Sequence, residues 1–124
     1  MKFQPDRAEG VNLITRHEPG TVWVAGRPHQ GGVVVPWIGE VQDWGARIAE
    51  ALADDHLRNL LHHRPELVIF GSGARLKFLP AATLRPLIDA GVGVETMDTA
   101  AACRTYNILA SEGRRVVAAL LPAA

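Results

Sequence analysis

Hydrophobic positions change rhythm near the middle of the chain. Up to Trp37 they come in short β-branched runs, "VNLIT" (Val11 to Thr15), "TVWVAG" (Thr21 to Gly26) and "GVVVPW" (Gly32 to Trp37), separated by "HEPG" and "RPHQG". Runs of this kind bounded by Gly and Pro predict strands, and two short connections in succession predict an antiparallel portion of sheet. The next stretch, "VQDWGARIAEAL", matches neither a strand nor a helix period, and Gly45 interrupts a helical reading. From Asp54 the pattern turns helical: "DDHLRNLLHHR" spaces Leu57, Leu60 and Leu61 on one face behind two aspartates suited to a helix start, and Pro65 stops it.

Thereafter strands and helices alternate. The pattern predicts a strand over Glu66 to Gly71, a helix over Ala81 to Ala90, a strand over Val92 to Met97, a helix over Thr99 to Glu112 and a strand over Arg115 to Leu121. Alternation at these lengths argues for parallel strands joined by right-handed crossovers. Pro86 lacks a backbone donor and is expected to end or kink the first of those helices. The fold class expected is therefore α/β: a single domain over residues 1–124, with a mixed central sheet, N-terminal antiparallel strands that extend or flank it, and a C-terminal βαβαβ portion.

Length and composition narrow the function classes. A chain of 124 residues fits one domain of the usual size, about 100–150 residues. Lysine plus arginine number 13, as do aspartate plus glutamate, so there is no global positive field and no nucleic-acid partner is expected. Cys103 is the only cysteine, which excludes an internal disulfide and points to a reducing compartment. The opening "MKFQPDRAEG" lacks the apolar centre of a secretory signal, and no apolar run approaches the roughly 18 residues of a transmembrane segment. A cytoplasmic protein is expected.

Candidate chemistry concentrates in two loops, which in such sheets lie beyond the carboxyl ends of parallel strands. In "LVIFGSGARLKFLP", Gly71, Ser72 and Gly73 follow a strand, and Arg75 and Lys77 add positive charge. This could form an anion cradle of backbone N–H groups, or simply a tight connection with a basic rim. Leu76 occupies the place of the third glycine of a dinucleotide fingerprint and Ala74 follows the last glycine, so neither that motif nor a Walker loop is complete. In "MDTAAACRTYN", Asp98 or Thr99 can cap the following helix, and an aspartate there opposes an anion. Tyr106 and Asn107 either face a cleft or are satisfied within the fold. Cys103 near the helix start is either an activated thiol or a packed core thiol, and no histidine spacing places a base beside it. His56, His62 and His63 lack an i, i+4 pair, so they read as solvated helix residues; no metal and no cofactor is expected. Trp37, beside Pro36 at a strand end, is the candidate exposed anchor for a protein partner.

Three stretches carry a resemblance: "VVVPW", "LVIFGSGARLKFLP" and "GVGVETMDTAAACRTYNILASEGRRVVAALL". In order along nearly the whole chain, they resemble a family of domains of unknown function. It includes a mitochondrial respiratory complex I assembly factor and adipogenesis-associated, Mth938-type domain proteins. Met97 to Leu121 is the most specific part, and the family's Gly-Thr-Gly appears here as Gly71, Ser72 and Gly73. The resemblance implies one α/β domain with a mixed sheet. It brings no established catalytic residue and no cofactor, so it assigns no role to Cys103, Asp98 or Asn107. For the mitochondrial relatives it implies a part in assembling complex I through protein contacts. Without an Arg-rich transit peptide, this chain reads as a bacterial cytoplasmic relative.

Two function hypotheses follow. The first is a non-enzymatic protein-binding or assembly module. The second is a small-anion or small-ligand protein, or an enzyme, using a cleft between Gly71 to Lys77 and Asp98 to Asn107.

Overall fold

A computed structural model describes residues 10–123. Along the chain run β1 (Ile14–Glu18), β2 (Thr21–Val24), β3 (Arg27–Gln30), β4 (Val33–Pro36), β5 (Gln42–Asp43), α1 (Asp54–Arg58), β6 (Leu67–Gly71), α2 (Ala81–Asp89), β7 (Gly93–Met97), α3 (Thr99–Ser111) and β8 (Val116–Leu120). They form two sheets, a three-stranded one in the order β1-β2-β3 and a five-stranded one in the order β5-β4-β8-β6-β7. In the larger sheet β6 runs parallel to both β7 and β8, while β4 lies antiparallel to β8 and β5. The mixed α/β class is the one the residue pattern predicts.

Strands β6 and β8 are buried at every position, as central strands covered on both faces must be. Period-two alternation splits their side chains between two cores. Leu67, Ile69, Val116, Ala118 and Leu120 pack with Ala102, Tyr106 and Ala110 of α3 and with Ile14, Val22 and Val24 of the small sheet. Val68, Phe70, Val117 and Ala119 pack with Leu57, Leu60, Leu87 and Trp44. Trp44 meets Phe70 edge to face at 6.0 Å between ring centres, and its indole N–H donates to the His56 carbonyl at 3.1 Å. The ambiguous segment around Gly45 thus resolves into a two-residue strand, a buried tryptophan and a short 3-10 turn, Ala49–Ala51.

Several local expectations are corrected. "RPHQ" is a strand and not a connection: β2 and β3 join through a two-residue turn at Ala25 and Gly26, both with positive φ. The first strand begins three residues later than the β-branched run suggests and continues through His17 and Glu18 to the turn at Pro19 and Gly20. Of the N-terminal strands, β1, β2 and β3 form a sheet of their own, while β4 extends the mixed one by pairing with β8. The leucine-rich helix keeps α geometry only to Arg58 and continues as a 3-10 turn, Asn59–His63, ending on Arg64 in the left-handed region. His56 is not merely solvated, since its Nδ1 accepts the Ala53 N–H at 3.0 Å and closes the helix start. Pro86 does not end α2, which runs on to Asp89. Its missing N–H leaves the carbonyl of Ala82 without an i+4 donor, at a residue that is exposed to solvent.

Candidate functional site

The connection from β6 to α2 is built around two buried hydroxyls. Ser72 donates to the Arg75 carbonyl at 2.6 Å, with the Met97 carbonyl at 3.2 Å as a second acceptor, and accepts the Lys77 N–H at 3.0 Å. One side chain thereby pins both limbs of the loop and ties them to the end of β7. Thr99 donates to the Leu121 carbonyl at 2.7 Å and accepts the Gly73 N–H at 2.9 Å, while its own N–H donates to the Gly73 carbonyl at 2.9 Å. The two glycines have different tasks. Gly73 has φ +106°, a region L side chains rarely adopt. Gly71 admits the start of α3, because a Cβ there would lie 2.8 Å from Leu120 Cδ2 and 3.0 Å from Thr99 Oγ1.

This arrangement brings together Gly71, Ser72, Gly73 and Thr99, with Asp98 beside them. Asp98 Oδ1 accepts the Ala101 N–H at 3.0 Å and caps α3. The N–H groups of Ser72, Gly73 and Lys77 are already donated to Met97, Thr99 and Ser72. Those three therefore do not project toward an incoming anion. Tyr106 and Asn107 lie two turns further along α3 and serve a different junction. The Tyr106 hydroxyl reaches the carbonyls of Asn12 at 2.7 Å and Pro36 at 3.1 Å, and Asn107 holds β1 by accepting from Ile14 N–H at 2.8 Å and donating to Ile14 O at 2.7 Å. Trp37 is half-buried against the core that contains Tyr106. Burial pushes the Tyr106 phenol up, and it pushes the Cys103 thiol up to about 11, only weakly opposed by Arg104. A thiol so placed stays protonated at neutral pH and is a poor nucleophile.

Beyond the hydroxyl hub the loop continues as an irregular segment that is exposed from Ala74 to Phe78 and turns into the core at Leu79. Lys77 forms an ion pair with Glu50, and Leu79 enters the core. Leu76 and Phe78, between and beside them, are left outside, Phe78 with 70% of its surface exposed. The Lys77–Glu50 pair sets this segment beside the 3-10 turn, where Ile48 is also exposed. Between the two runs a groove of about 290 Å³, lined by Ala49, Leu52, Phe78, Leu79, Pro80 and Thr83, opens on the surface. Leu76, Phe78, Ile48 and Glu50 are absent from the sequence-derived site. The available signal was the length of the loop together with two large apolar residues set among Arg75 and Lys77.

Fold and site together define a small mixed α/β protein whose strand-end loops are locked by internal hydrogen bonds and whose exposed surface there is apolar with a basic margin. A family model for a protein of unknown function, DUF498/DUF598, matches residues 14–121, and the chain belongs to that family. An uncharacterized protein of Rhodobacter capsulatus is 39% identical over 119 residues, covering 91% of this chain and 86% of its own. The human NADH dehydrogenase [ubiquinone] 1 alpha subcomplex assembly factor 3 is 43% identical over 63 residues, covering 51% of this chain and 34% of the factor. The chain therefore matches only about a third of that assembly factor's length. Among solved structures, a Bordetella parapertussis protein superposes with TM-score 0.86 at 38% identity, covering 94% of this chain and 99% of that one. A Bordetella pertussis Mth938-like domain superposes with TM-score 0.83 at 32% identity, covering 99% and 93%. No helix among the described residues is long and apolar enough to cross a membrane.

Proposed function

We propose that this chain is a protein-binding module of assembly type, without catalytic chemistry of its own, and that its partner docks on the loop carrying Leu76 and Phe78. The observation that carries the reading is Phe78, 70% exposed on a segment held by the Ser72 hub and the Lys77–Glu50 pair. Leaving a phenylalanine in water forgoes about 1.5–3 kcal/mol of burial, and a rigid segment loses little entropy when it is covered. Relatives that are named as an assembly factor for NADH dehydrogenase support the same class of role. A single buried thiol accords with a cytoplasmic setting.

The test is affinity capture from the source organism with the tagged chain, its Phe78→Ser and Trp37→Ala variants and an untagged control, read by mass spectrometry. Proteins recovered by the wild type and lost with Phe78→Ser, at unchanged melting temperature, support the reading. Recovery that Phe78→Ser leaves intact removes the loop from it, and recovery lost only with Trp37→Ala moves the interface to the end of β4.

A further inference from the structure

We propose that the outer edge of β7 receives an extended segment of another protein as an added strand, with a lysine or arginine of that segment set opposite Glu95. This surface is separate from the Phe78 loop. The two sheets end on β1, β3, β5 and β7. Asn107 occupies the outward amide of Ile14 on β1, β3 carries Pro28, which offers no N–H, and β5 is two residues long. Only β7 carries none of these devices. Gly93 donates its N–H to the Glu66 carbonyl at 3.3 Å, and the Met97 carbonyl accepts from Ser72 N–H at 2.9 Å. Parallel pairing with β6 in this register turns the backbone groups of Gly93, Glu95 and Met97 inward, and those of Val94 and Thr96 outward. Both residues are half-buried, and their N–H and C=O groups have no partner among the described residues.

The chemistry of the edge selects its occupant. Donors and acceptors that recur at every second residue, about 6.8 Å apart, are matched by an extended polypeptide and by neither a polynucleotide nor a lipid headgroup. Glu95 stands exposed between the two outward residues and is in no ion pair among the described residues. A cation directly opposite it is favoured, and a like charge is not. A second copy therefore fits poorly. Antiparallel pairing that joins Val94 to Thr96 of the copy sets Glu95 against itself. Joining Val94 to its own counterpart calls on Val92, whose N–H already donates to the Leu87 carbonyl at 3.0 Å. Joining Thr96 to its counterpart runs into Asp98, where the chain turns into α3.

The experiment combines amide exchange, read by magnetic resonance on the isotope-labelled full chain, with selection of random displayed peptides on that chain and on Thr96→Pro, Glu95→Lys and Phe78→Ser, each first compared with the wild type by melting. In the free chain the amides of Val94 and Thr96 should exchange fast while those of Glu95 and Met97 are protected. Selected peptides should protect Val94 and Thr96, carry lysine or arginine, and lose binding to Thr96→Pro, whose missing N–H is outside the β6 ladder. N-methylation of a pairing amide in the peptide makes the same test should Thr96→Pro melt early, and should weaken binding roughly three- to tenfold. Selection on Glu95→Lys should enrich acidic peptides instead. Protection of Val94 and Thr96 in the free chain would overturn the proposal, giving the edge to a second copy if it rises with concentration and to the chain itself if it does not. Peptides that leave those two amides unchanged would overturn it too, and if they need Phe78 the protein-binding reading at the loop survives. Failure to select any peptide that needs the edge also counts against it.

Discussion

At the scale of single residues the β6–α2 loop depends on atoms that have no substitute nearby. Gly73 holds φ +106°, so Gly73→Val should destabilise the fold by about 1–3 kcal/mol through backbone strain alone. A denaturation midpoint equal to the wild type's would reject that account. Thr99→Val keeps the shape but strips the hydroxyl that serves the Leu121 carbonyl and the Gly73 N–H. With both groups buried and unmatched, a loss of about 2 kcal/mol or more is expected in urea unfolding. The value of Ser72 and Thr99 was only half legible beforehand. Their placement after a strand and at a helix start marked them as turn and cap residues, but which partners each hydroxyl meets depends on Met97 and Leu121, 25 and 22 residues away. Asp98 was legible as a cap because capping is local, acting within the first turn of its own helix.

At the scale of elements the small sheet shares no strand pairing with the mixed one and packs on it through Ile14, Val22 and Val24. Its edge strand β1 is tied to α3 by one side chain, Asn107, which supplies the donor and acceptor that a neighbouring strand would otherwise provide to Ile14. Asn107→Ala should therefore speed amide exchange at Ile14 and its strand partners well before it alters the centre of β6 or β8, with a global cost of about 1–3 kcal/mol. Uniform loss of protection across both sheets would show that the small sheet does not open separately. The hairpin turn offers the opposite change. Ala25 sits at φ +51° ahead of Gly26, a position where asparagine is favoured, and Ala25→Asn should raise stability by up to about 1 kcal/mol. Strand and helix types from Leu67 onward were legible because short continuous apolar runs at β6 and β8 alternate along the chain with longer helical segments. The strand at Arg27 to Gln30 was not, since it is exposed, polar and contains Pro28, and only its pairing with β2 makes it a strand.

For the whole molecule, the buried acids give a prediction with a definite sign. Cys103 is pushed up to about 11 and Tyr106 is pushed up further by the same burial, so the folded state favours their neutral forms more than the unfolded chain does. Their contribution is complete below the unfolded thiol value of about 8.5 and is lost as pH rises through the folded values. Thermal melts should therefore hold a plateau up to about pH 8.5 and fall toward pH 11, and a flat alkaline limb would contradict the burial of both groups. On the acid side Glu66, held below the usual carboxylate range first by its hydrogen bond to Arg114, and His63, lowered first by desolvation, act in the opposite sense. Their contributions are present at neutral pH and fade as pH falls through the folded values, which bounds stability from below.

The sequence by itself determined the class of the fold, the order of elements after Leu67 and the kinship with a family, because periodicity, turn residues and motif identity are properties of neighbours along the chain. It also determined that neither named nucleotide loop is complete. Tertiary structure decided the rest. It separated Tyr106 and Asn107 from the Gly71 loop, tied the N–H groups of Ser72, Gly73 and Lys77 to partners within the protein, and set Ala49 and Glu50 beside Lys77 and Phe78. That last surface joins segments some 27 residues apart through a single ion pair, and no local pattern can announce a neighbour that only the packing of α1, α2 and β6 brings within reach.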